Sequence, residues 1–221
     1  MTDDVVVTAR RSTPGGVGGG WSIFVERTEL FEHPTLVPDG GGGGAPPEYV
    51  SIPLAIDCSN AQGLAKAVAD KLRSFSADGN SMPSVEYGGT ISGLGGRSSL
   101  FGDKLITYGL ADRSSIAVSN TSAANANILG FVHNHPSYGF DQNLDLEARY
   151  PSDVDWASAD YVVNNLGVPA DISIFIIDWR GGVREFKYSD KIMFQALSPS
   201  QKRRGDMLGP VITSSDCVSR G

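Results

Sequence analysis

The 221-residue sequence predicts an α+β fold in which a mixed β-sheet is flanked by helices. Two observations carry that expectation. Strand-like and helix-like stretches follow one another without regular βαβ alternation, which argues against a doubly wound parallel sheet. One stretch, Asn127–His135 (NILGFVHNH), is apolar on both alternating faces almost to its end, the pattern of a strand covered on both sides.

The elements follow in order. Residues 1–48 contain Pro14–Gly20 (PGGVGGG) and Asp39–Pro47 (DGGGGGAPP), compositions that bury too little apolar surface to offset backbone ordering. They predict a flexible Gly/Pro-rich N-terminal segment in which Trp21–Phe31 forms one docking strand. A packed domain over 49–197 is expected next. Asp57-Cys58-Ser59-Asn60 offers helix caps, and Leu64, Val68, Leu72 and Phe75 recur at helical spacing, so a helix ends before Asp78-Gly79-Asn80. Val85–Ser92, Lys104–Tyr108 and Ser114–Ser119 read as strands between Gly- and Ser-rich turns. After the buried strand, Asp155–Asn165 reads as a helix with Trp156, Ala159, Val162 and Val163 on its apolar side. Ile172–Trp179 and Val183–Tyr188 form a hairpin across Arg180-Gly181-Gly182. Residues 198–221 are expected to be a polar tail.

Charge and cysteine content narrow the function. Eighteen Lys and Arg stand against 25 Asp and Glu, a net charge of −7 that opposes a broad phosphate-binding footprint, so no nucleic-acid partner is expected. Two cysteines, Cys58 and Cys217, are too few and too far apart for a zinc ribbon or a disulfide scaffold. Cys58 reads as a small buried apolar residue and Cys217 as incidental; a single disulfide in an oxidising compartment stays open. No run of residues is long enough to span a membrane, and MTDDVVVTARR lacks the features of a signal peptide. A cytoplasmic location is therefore expected, with signal-independent secretion as an effector left open.

The chemistry concentrates between Phe131 and Trp156. His133 and His135 lie two apart on a strand, so both imidazoles share one face with Cα atoms roughly 6.5 Å apart, close enough for one ion. Pro136 ends the strand. Pro151-Ser152-Asp153-Val154-Asp155-Trp156 opens the next helix. Two neutral nitrogens and a carboxylate leave a fourth position for water, the open arrangement of catalytic zinc. Ser152 and Asp155 also have the spacing of a helix capping box, which needs no metal.

At these residues the sequence resembles the JAMM/MPN (JAB) zinc metalloprotease superfamily, with its upstream Glu, its H-x-H-P and its S-x-x-D. His133-Asn134-His135-Pro136-Ser137 and Pro151–Asp155 look like the RadC-type bacterial branch. Glu86-Tyr87-Gly88-Gly89 looks more like related bacterial domains of secreted and toxin-associated proteins, the DUF4329 group. The resemblance spans roughly residues 50–190 and rests on three short motifs. It implies an MPN-like layering, similar to that of cytidine deaminases, and one Zn²⁺ per chain held by His133, His135 and Asp155. Ser152 matches the serine that assists the oxyanion, and Glu86 the general acid/base. Glu48 is the upstream rival to Glu86, but it sits beside the Pro-rich segment. Fifteen residues, Ser137–Pro151, separate Pro136 from Ser152, more than the family's spacer. The insert reads as a surface loop or a lid over the metal, and Asp141 or Asp145 within it rivals Asp155 as ligand.

The expected activity is hydrolysis of an amide, peptide or isopeptide bond in a protein or peptide substrate, with ubiquitin-like proteins among the family's substrates. Two other readings stand beside it. One is a non-catalytic interaction module on the same fold, and the other a toxin or effector domain of a bacterial secretion system. The letters H-N-H at 133–135 do not make the nuclease motif of that name, which distributes its residues over a longer ββα unit.

Overall fold

The computed structural model describes residues 4–10, 22–28, 50–76, 81–107, 113–119, 122–139 and 141–220. In chain order the elements are β1 (Asp4–Arg10), β2 (Ser22–Thr28), β3 (Val50–Pro53), β4 (Ile56–Cys58), α1 (Ala61–Arg73), β5 (Gly88–Leu94), β6 (Arg97–Leu100), β7 (Lys104–Thr107), β8 (Arg113–Ser119), α2 (Ser122–Asn125) and β9 (Ile128–Asn134). They continue with α3 (Gln142–Glu147), α4 (Asp153–Asn165), β10 (Ser173–Ile177), β11 (Val183–Lys187), α5 (Lys191–Gln195), α6 (Pro199–Arg204) and β12 (Cys217–Ser219). The fold is α+β with a mixed sheet, as its sequence predicts. The large sheet runs β11-β10-β9-β5-β6-β4-β12, with β7 joining β3 and β5 at its side. Among the described residues only β9 and β10 pair in parallel; the other ladders are antiparallel.

Alternation along β9 and β10 explains their two-sided apolar character. Phe131, Ile174 and Ile176 face a core containing Trp156, Ala159 and Val162 of α4 and Phe186 and Phe194. Val132, Phe175 and Ile177 face the other core, with Leu64, Val68 and Leu72 of α1. A sheet covered on both faces must be apolar on both, and burial of such side chains contributes about 1.5–3 kcal/mol each. Asn60 caps α1 by accepting the Gly63 N–H at 2.7 Å, as the cluster of polar residues before the helix predicts.

Several boundaries depart from the sequence reading. The strand expected from Val85 begins at Gly88, and β3, β4 and β6 are additional. Short strands with polar alternation carry little periodic signal, and pairing with neighbours decides them. Within the expected docking strand lies β2, which pairs antiparallel with β1; β1 in turn pairs with β8. The two Gly/Pro runs and Glu48 lie outside the described residues.

The stretch expected to be a polar tail carries secondary structure of its own. Its first part forms α6, with a Ser198–Gln201 capping box and Gly205 ending it at φ 85°. Arg203 pairs with Glu147 at 2.8 Å, and Tyr150 Oη donates to the Asp206 carbonyl at 2.7 Å. Further on, β12 pairs with β4, Cys217 is disulfide-bonded to Cys58, and Arg220 forms ion pairs with Asp57 and Asp103. Hydrogen bonds, ion pairs and the disulfide thus tie these polar residues to distant segments. Among the described residues, no helix is long and apolar enough to cross a membrane.

Candidate metal centre

The end of β9 supplies two imidazoles. His133 is on the strand, and the His135 N–H donates to the Ile177 carbonyl at 2.9 Å, so the pairing with β10 continues one residue past β9. Both side chains therefore point to the face covered by α4. The start of α4 lies opposite and supplies Asp155. Among the described residues, His133, His135 and Asp155 form the group of ligating side chains able to hold a metal ion, and all three are buried.

Their geometry suits one ion. His133 Nε2 and His135 Nε2 are 2.9 Å apart, and Asp155 Oδ1 lies 3.1 Å from the first and Oδ2 3.4 Å from the second. A tetrahedral ion with bonds of about 2.0–2.1 Å holds its ligand atoms about 3.3 Å apart. These separations involve both Asp155 oxygens; one ligand atom taken from each of the three residues gives a set within 4.8 Å, close enough for one ion to gather. His135 Nδ1 is 2.6 Å from the Ala148 carbonyl. A carbonyl can only accept, so Nδ1 carries the proton, and in the neutral ring the Nε2 lone pair points toward His133 and Asp155.

Electrostatics without an ion follow from the same contacts. Burial alone would push the His135 imidazole down, but hydrogen bonding and attraction from Asp155, with a further contribution from Glu86, hold it above its ordinary value. Burial likewise opposes ionisation of Asp155. The His133 charge and hydrogen bonds from both imidazoles outweigh it and hold the carboxyl well below the usual carboxylate range.

Ser152 and Asp155 form the capping box that their spacing predicts. Asp155 Oδ2 accepts from Ser152 N at 2.6 Å and from Ser152 Oγ at 2.8 Å, while Asp155 N donates to Ser152 Oγ at 3.3 Å. Capping and ligand placement are one arrangement: the box fixes the carboxylate rotamer that faces the histidines.

Strand register places Glu86. Gly88 pairs with His133 in the β5–β9 ladder, so two residues earlier Glu86 stands across from His135 on the same face. Glu86 is 8% exposed and lines a cavity of about 110 Å³ together with His135, Ser152 and Asp155. Its backbone is held by residues that sequence reasoning passes over. Thr107 Oγ1 donates to the Glu86 carbonyl at 2.6 Å. Asn134, between the two histidines and pointing to the opposite face, accepts from Tyr87 N at 2.8 Å and donates to the Val85 carbonyl at 3.0 Å. A buried amide in an otherwise apolar strand is the one signal that could have found it.

The 137–151 insert is a wall of the cavity rather than a loose loop. Asp141 caps α3, accepting from Asn143 N at 2.9 Å. Asp145 is buried and accepts from Ser137 Oγ at 2.9 Å and Tyr138 N at 2.7 Å. Neither therefore replaces Asp155. The insert's own part in the centre is the Ala148 carbonyl on His135. Lys202, from α6, also lines the cavity.

Fold and site together define an α+β protein with a buried His₂Asp cluster that can hold a metal ion. No family model, curated protein or solved structure matches the chain.

Proposed function

We propose that the protein is a zinc-dependent hydrolase of an amide, peptide or isopeptide bond, a member of the JAMM/MPN superfamily. The observation that carries this reading is the set of three buried donors within 4.8 Å of one another, with a glutamate across the strand pair from one of them. His133 Nε2, His135 Nε2 and an Asp155 carboxylate oxygen would hold the ion. Zinc supplies a bound water of lowered pKa and polarises the scissile carbonyl.

The chain's own groups do the rest. Glu86, largely shielded from solvent, takes a proton at its carboxylate and returns it to the departing amine nitrogen. Asn134 and Thr107 keep the Glu86 backbone in register with His135, so the proton moves along a fixed path. The Ser152 N–H steadies Asp155, and its hydroxyl, at the cavity wall, would turn its single proton from Asp155 to the carbonyl oxygen as the charge there grows. The Ala148 carbonyl keeps His135 in the ligating tautomer.

The test is zinc content and hydrolysis on one preparation of the full chain. Atomic absorption should give one zinc per chain, and new amino termini should arise from a peptide or isopeptide-linked library. Chelation should abolish hydrolysis, with zinc restoring it. A chain that binds no zinc, or whose hydrolysis ignores chelation, overturns the reading.

A further inference from the structure

A second cavity lies at the carboxyl end of β10, on the far side of the 146–150 segment from the metal centre. It measures about 410 Å³ and is lined by Lys66, Arg73, Arg149, Arg180 and Arg184 around Trp179, with Asp178 as the one acidic residue of its wall. Five cations stand against two carboxylates, Asp178 in the wall and Asp70, which pairs with both Lys66 and Arg73, a local reversal in a chain of net charge −7.

Asp178 offsets one of these charges, that of Arg184, and is fixed in place by the turn. Oδ1 accepts from Arg180 N at 3.0 Å and Gly182 N at 2.9 Å, and Oδ2 accepts from Arg184 Nη1 at 2.9 Å. The guanidinium groups are tethered in place. Arg73 Nη2 donates to the Arg180 carbonyl at 3.0 Å, and Arg149 donates to the carbonyls of Leu146, Lys202 and Arg203. Arg180 lies over the Trp179 ring, 5.3 Å from its centroid. The Arg184 Nε–H is buried and finds no hydrogen-bond partner among the described residues, a state that costs free energy unless something accepts from it. Burial of Arg149, reinforced by repulsion from Arg184 and Arg180, holds its guanidinium below its ordinary value.

We infer that this cavity is a binding site for a small phosphate-bearing anion, which the tethered arginine forks receive through charge-assisted bidentate hydrogen bonds. Planar guanidinium groups match phosphate oxygens in spacing and number of donors, and holding them in place beforehand lowers the ordering cost of binding. The site does not depend on the metal reading, since none of its five cations touches the His₂Asp cluster.

The experiment uses the full chain dialysed free of metal, so that phosphate cannot bind an ion at the other site. Calorimetric titrations with inorganic phosphate, pyrophosphate and ADP distinguish a single phosphate, a diphosphate and a diphosphate joined to a planar ring. Sodium chloride and sulfate at equal ionic strength serve as controls. Pyrophosphate or ADP should bind one to one with a Kd of about 1 mM or tighter, a level at which sulfate does not. Arg180→Gln, at an exposed position, should weaken binding about tenfold, the equivalent of one charge-assisted hydrogen bond. Arg184→Lys keeps the charge but loses the fork and should weaken it comparably, whereas Arg97→Gln, remote from the cavity, should leave it unchanged. Circular dichroism confirms that each variant is folded. The inference is overturned if no phosphate compound binds, if sulfate binds equally well, or if folded Arg180→Gln and Arg184→Lys both bind like the parent.

Discussion

Asp155→Asn separates the two tasks of the residue at the start of α4. The side chain closes a capping box with Ser152 and offers a carboxylate to the histidines. Asparagine retains a carbonyl oxygen for the Ser152 N–H, so the capping loss should stay within about 0.5–1 kcal/mol. The metal loss is larger. A ligand present at a thousand times its Kd stabilises the folded state by about 4 kcal/mol. For a chain of this length each kcal/mol moves Tm by about 2–4 °C, so zinc should raise the parent's Tm by about 8–16 °C. If losing the anionic ligand weakens binding a hundredfold, the same zinc concentration retains about 1.4 kcal/mol, or about 3–6 °C. Differential scanning calorimetry at pH 7.5, with and without zinc, measures both quantities. A full zinc-induced shift in Asp155→Asn would show that the carboxylate does not hold the ion. A fall of more than 10 °C without zinc would show that capping, not the metal, is its main task.

Other predictions address the remaining residues. Glu86→Gln should keep its zinc and its Tm while hydrolysis falls by about 10²–10⁴-fold; near-normal turnover would remove Glu86 as the proton carrier. Zinc affinity should fall with decreasing pH. His135 is raised in the absence of an ion, so its proton competes with the metal from above the ordinary histidine range downward, and a flat affinity between pH 5.5 and 8 refutes this. In metal-free protein the same raised value contributes stability at low pH that is lost as pH rises through it. The depressed Asp155 value acts oppositely, with its contribution lost only in strong acid. Cys217→Ser opens a covalent loop across 159 residues, worth up to about 5 kcal/mol by chain entropy, and should release β12 and the residues around it. Limited proteolysis of the oxidised parent should leave a fragment reaching Arg220, and of the variant one ending near α6; identical fragments would refute the tether.

The legible part of this protein was local. Strand period two put His133 and His135 on one face, and the spacing of Ser152 and Asp155 announced a capped helix; both rules operate within one element. The α1 face and the β10–β11 hairpin were readable for the same reason. What only tertiary structure decided were meetings between distant segments. The β5–β9 register set Glu86 opposite His135, and packing of α4 on the sheet brought Asp155 to the histidines. The insert turned the Ala148 carbonyl onto His135, and β4 drew in the C-terminal strand with its cysteine. Five cations from three separate stretches of sequence gathered around Trp179. No local period or cap records such contacts, because their energy comes from surfaces that face one another only after the chain has closed loops of tens of residues.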